Sequence, residues 1–108
     1  MTLTQLNTLL KATGYPVAYS HFVGTDAHPV PNPPYITYFV DESSNFFADN
    51  RVYAKSNFII IELYTDRKDM VAEGKVEALL DENEIPYESS ETYIESENLF
   101  QKIYNVRL

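Results

Sequence analysis

The spacing of apolar positions divides the chain into a helix, strands, a second helix and a closing strand pair. Leu3, Leu6, Leu9 and Leu10 recur at helical intervals and predict a short amphipathic helix. Thr2 followed by Gln5 fits a capping box, and Gly14 with Pro16 supplies the stop. Val17 to Phe22 reads as a short strand. The next eleven residues, GTDAHPVPNPP, hold four prolines, which excludes a central strand and predicts an extended loop.

YITYFV, residues 35–40, is β-branched and aromatic and predicts a strand. DESSNFFADN reads as a polar loop carrying two aromatics, and residues 51–65, RVYAKSNFIIIELYT, as one long strand. In that strand Ile59, Ile61 and Leu63 share one face. Phe58, Ile60, Glu62 and Tyr64 share the other, so both sides are at least partly covered. Helical periodicity then runs from about Asp66 to Asn83, with Met70, Val76, Leu79 and Leu80 as the expected buried stripe. Gly74 weakens that helix by about 1 kcal/mol relative to Ala, and Pro86 closes it from beyond. PYESSETYI and NLFQKIYNVRL predict two final strands joined across ESEN. The order implies one α+β domain spanning residues 1–108. Its expected form is a mostly antiparallel sheet of four to five strands with both helices on one face.

Composition narrows the function. There is no cysteine, hence no thiolate metal site and no need for an oxidising compartment. The first residues lack the basic start and apolar run of a signal peptide, and no apolar stretch approaches the ~20 residues of a membrane span. A soluble protein of a cytoplasm-like environment, with no membrane partner, is the expectation. Nine Tyr and six Phe argue against disorder. The charge is concentrated: residues 66–97 hold eleven acids against Arg67, Lys68 and Lys75, while the remainder balances five against five. Such a field repels phosphate and disfavours a groove that grips nucleic acid.

Three groups of residues could carry chemistry. Asp66 and Asp69 stand where strand pattern gives way to helix, and capping the free N–H groups of the first turn accounts for both. A metal site would need further ligands at defined spacing, and neither a D-x-D-x-D-G loop nor H-E-x-x-H occurs. Glu62 is expected to be solvated or paired with a base, with Lys102 and Arg107 as candidates. His21 and His28 flank the proline-rich loop without a ligand pattern. With three glycines and no G-x-S-x-G, neither a phosphate-cradling loop nor a nucleophile elbow can form. No catalytic residue, cofactor or metal is therefore assigned, and the chain is read as a non-enzyme. Asp69, Glu73, Glu77 and Asp81 recur every fourth residue and stack four carboxylates on one helix stripe. That stripe is either a solvated, solubilising face or an electrostatic surface for DNA that must not bind or for a basic partner.

The motifs LYTDRKD, KVEALL and Y-x-x-x-E-T-Y-I-E-S-E-x-L-F-Q, together with PPYITYFVDESSNFFADNRVY, resemble small head–tail module proteins of tailed bacteriophages and prophages. Members are often described as minor capsid or tail-completion proteins, and the resemblance covers nearly the whole chain. It implies a tail-terminator or head–tail joining subunit that forms a ring, usually a hexamer, at the head-proximal end of the tail. Its partners would be its own copies, the major tail protein and head connector proteins, with DNA passing through unbound. Its place would be the virion neck, and the host cytoplasm during assembly. The Pro33-Pro34 pair and the stretch from Asp41 to Ser56 fit this picture. Phe46, Phe47 and Tyr53 in that stretch are expected either to pack on a neighbouring subunit or to fold back on their own core. The acidic stripe would face the channel or a partner. The alternative function is an acidic inhibitor or DNA mimic occupying a basic site on another protein. A small metal enzyme using Glu62, Asp66 and Asp69 is a third reading that lacks a complete constellation.

Overall fold

In a computed structural model of the protein, residues 1–41 and 58–108 are described in full, and between them the strand backbones of Phe46–Ala48 and Arg51–Ala54. Helix α1 (Leu3–Lys11) begins with the expected capping box: Thr2 accepts the Gln5 amide, and the Gln5 side chain returns a bond from the Thr2 amide. Leu6 and Leu10 on its inner face are fully buried. Gly14 at φ 87 makes the left-handed turn that carries the chain from α1 into β1 (Val17–Tyr19). A long connection follows and passes the cis Pro33-Pro34 bond into β2 (Tyr35–Val40).

β2, β5 (Phe58–Thr65), β6 (Tyr87–Ile94) and β7 (Leu99–Arg107) pair antiparallel, and β1 adds parallel to β2, giving the order β1-β2-β5-β7-β6. β5 is central, and its alternation sets the faces. Ile59, Ile61 and Leu63 meet Leu6, Leu10, Val76, Leu80, Tyr104 and Val106 in one core beneath the helices. Fully burying a side chain of this size contributes about 1.5–3 kcal/mol each, so this layer dominates the stability. The expected α+β sheet with two helices holds, and no helix among the described residues is long and apolar enough to cross a membrane.

Three local expectations change. Residues 51–65 form two strands in different sheets: β4 (Arg51–Ala54) pairs with β3 (Phe46–Ala48), which lies where a polar loop was expected, and β5 stands apart from them. The run AKSN at 54–57 interrupts the β-prone composition of this stretch, since Ala, Lys and Asn are depleted in strands. Helix α2 (Met70–Glu82) starts four residues later than Asp66, because only Asp69 takes the cap conformation and accepts the Ala72 amide at 3.0 Å. Asp66 is exposed in the turn after β5. Met70 is 76% exposed, and Ala72 takes the inward place with Val76 and Leu80. The helix ends in a Schellman motif: Glu84 at φ 56 donates to Asp81 and Ile85 to Leu80, with the Ile85 side chain buried.

The cap geometry separates two aspartates that look alike in sequence. Asp69→Ala is expected to cost about 0.5–2 kcal/mol in urea denaturation, whereas Asp66→Ala should stay within about 0.5 kcal/mol of wild type.

Candidate functional site

Helix α2 lies over β7 and β6, and its four stacked carboxylates meet four different environments. Asp69 is spent on the cap. Glu73, 9% exposed, faces the sheet, where Lys68 approaches at 2.8 Å and Lys102 at 3.6 Å. Lys68 also holds Glu91 of β6 at 2.7 Å, so it ties the helix to the edge strand. Hydrogen bonds to Glu73 and then to Glu91 hold the Lys68 ammonium well above its ordinary value. Glu77 accepts the hydroxyl of fully buried Tyr104 at 2.8 Å and that of Tyr87 at 3.4 Å. Burial first, then this bond and the Glu77 charge, push the Tyr104 phenol far up. Asp81 alone of the four is an exposed side chain.

The stripe is therefore not one solvated face. A helix stripe every fourth residue drifts around the axis, and here the middle of it turns under the helix onto the cationic and phenolic groups of β6 and β7. An acidic surface remains, but it is carried by Asp81, Glu82, Glu84, Glu88, Glu95 and Glu97, all exposed.

Among the described residues no helix covers the opposite face of the sheet. Glu62 sits at its middle and accepts from Thr37 at 3.1 Å, from Tyr64 at 3.2 Å and from the amide of Gln101. The expected bases do not reach it. Lys102 projects from β7 to the helix side, and Arg107 lies over the Phe58 ring at 5.4 Å. The reason is register: Leu63 pairs with Lys102 and Glu62 with Ile103, which places Lys102 on the core side of the sheet. The Tyr64 phenol is pushed up from 10.0 to about 12, by burial first and then by the charge of Glu62 and their hydrogen bond.

Compared with protein-family models, curated proteins and solved structures, the chain matches none. The site is thus defined by its own geometry. Glu62, Asp66 and Asp69 are not brought together: Glu62 is bonded on the outer face, Asp69 caps α2, and Asp66 is in solvent. Among the described residues, no three His, Asp or Glu side chains converge as a metal site would require. His21 and His28 are exposed, with His21 Nδ1 3.0 Å from Ser20 Oγ. The side chains of Phe46, Phe47 and Tyr53 lie outside the described residues. Their backbones form the β3–β4 hairpin, which makes a two-stranded sheet of its own. The polar cluster around Glu62 had one legible signal, the alternation of Glu62 with Tyr64, but its Thr37 and Gln101 members come from strands whose register no local pattern shows.

Neutralising the α2 carboxylates would gain a few tenths of a kcal/mol per pair if they only repelled one another. With Glu73 and Glu77 bonded inward, Glu73→Gln and Glu77→Gln are each expected to lower stability by about 1–2 kcal/mol, and Asp81→Asn to stay within about 0.5. Urea titration of the three single variants checks this. A phenol raised on folding makes the unfolded chain lose its proton first. The stability tied to Tyr64 is accordingly intact below about pH 10 and lost as pH climbs through about 12. Tyr64→Phe should decline less steeply over that range than wild type, measured as the urea midpoint against pH.

Proposed function

We propose that this chain is a structural assembly protein of a tailed bacteriophage or prophage, a ring-forming tail terminator or head–tail joiner that caps the tail tube and receives the DNA-filled head. The resemblance of its motifs to that family supports the reading. The structural observation that carries it is the β3–β4 hairpin, which interrupts the chain between two neighbouring central strands, β2 and β5, yet pairs only with itself. A two-stranded hairpin on its own is marginally stable in water and needs a surface to pack on. In a ring, the adjacent subunit supplies that surface.

The role is non-enzymatic in this reading. It needs no cofactor, and its contacts are its own copies, the major tail protein and the head connector. The DNA-mimic alternative is less well supported, because two of the four stacked carboxylates such a mimic would display are turned inward onto Lys68, Lys102 and Tyr104. The exposed acids suit a ring through which DNA passes, since a phosphate-repelling wall does not slow its exit.

Phe46→Ser combined with Phe47→Ser is expected to leave the melting temperature of the isolated subunit nearly unchanged while abolishing rings in negative-stain images and in light scattering. Infected cells carrying the variant should accumulate overlong tails. Tails of normal length joined to heads in the absence of the protein would overturn the reading. A large loss of subunit stability would place the two aromatics in the subunit's own core.

A further inference from the structure

On the helix-free face of the sheet a recess of about 240 Å³ opens between β2, β5 and the turn into β7. Phe22, Tyr35, Tyr64, Thr37, His21 and Glu97 line it. Its wall is a contiguous run of rings: Phe22 stands edge-on to Tyr35 at 5.4 Å between centroids, and Tyr35 stacks on Tyr64 at 5.0 Å. Glu97 stands exposed at the rim, and Glu62 lies immediately behind, bonded to both Thr37 and Tyr64. Both carboxylates reach the recess electrically, since after burial it is Glu97 and then Glu62 that raise the Tyr35 phenol above its ordinary value.

Among the described residues neither Glu62 nor Glu97 is paired with a Lys or Arg, whereas Glu73 and Glu91, on the other face, are paired with Lys68 and Lys102. Glu62 is held by neutral donors only. Ring faces attract cations, and a carboxylate beside them favours a group that can stack and donate hydrogen bonds together. A planar guanidinium does both, whereas an ammonium is a more strongly hydrated point charge. The volume lies below the range of about 300–1,000 Å³ common for small-molecule sites and suits one side chain. A phosphate-bearing ligand would be repelled. A second copy would bring another net charge of −8 towards an acidic rim, so charge complementarity favours a basic chain.

We propose that this recess receives an arginine side chain presented by a basic protein partner, the guanidinium lying against the Tyr35–Tyr64 wall and donating to Glu97 at the rim. The assignment stands whether or not the chain forms a ring.

The test is a titration of the full chain with N-acetyl-arginine methylamide and with its citrulline and lysine counterparts, following the ring resonances of Tyr35 and Tyr64 by NMR. Citrulline has nearly the same shape as arginine without the charge. Saturable shifts at both rings are expected with the arginine compound, with citrulline at least about tenfold weaker and lysine weaker by a smaller factor. Glu97→Gln, an exposed change that leaves the fold alone, should weaken arginine binding roughly two- to fivefold. Equal responses to arginine and citrulline, or shifts indifferent to Glu97→Gln, would overturn the proposal. So would shifts at the same rings that grow with protein concentration alone, because they would put a second copy in the recess.

Discussion

The register of β5 is the constraint on which the rest of this structure depends. It is the central strand, bonded to β2 on one side and β7 on the other, and both of its faces are committed. Ile59, Ile61 and Leu63 build the core under the helices, while Glu62 and Tyr64 build the polar cluster on the outer face. A slip of one residue would exchange the two sets and drive the Glu62 carboxylate under the helices. An uncompensated buried carboxylate costs several kcal/mol, on top of the apolar burial lost from the displaced isoleucines. Every neighbouring strand inherits its facing from this choice, including the position of Lys102 beneath Glu73.

Beyond Glu62, the described acidic residues differ in role according to where the backbone points them. Asp69 stabilises a helix start. Glu73 and Glu77 bind α2 to the sheet through Lys68, Lys102 and Tyr104, so the helix is seated by polar bonds along one flank and by Val76 and Leu80 along the other. The remaining exposed acids carry the net charge. Exposed pairs such as Lys68–Glu91 are worth little individually, but the Glu77–Tyr104 bond serves a fully buried tyrosine, and leaving that phenol unpaired would cost more than the bond itself contributes.

The two helices occupy one side of the sheet and leave the other to side chains of mixed character. That asymmetry frees a surface, and the β3–β4 hairpin, inserted in the chain between β2 and β5, forms a two-stranded sheet separate from the main one. Assembly proteins need such surfaces, since an interface is built from what the monomer leaves uncovered. The assembly role proposed for the chain and the arginine-receiving recess use different parts of that uncovered surface, so each can fail without the other.

The elements whose causes are local were legible from the residues alone. The Thr2–Gln5 capping box, the Gly14 turn, the strand over 35–40 and the final strand pair depend on neighbours within a few positions, and each is where its pattern puts it. The core face of β5 also followed from alternation, because a period of two leaves only two assignments and the isoleucines choose between them. Tertiary structure decided the rest. Asp66 and Asp69 are equivalent as residue types, and only the path of the turn after β5 selects which one caps α2. Met70 fits a helical apolar stripe, but the docking angle of α2 turns Ala72 inward in its place. Glu73 and Glu77 look solvated along the helix and become structural only when β7 brings Lys102 and Tyr104 beneath them. Strand register is a long-range property with no local signature, and it determines which charges meet and which stay unpaired.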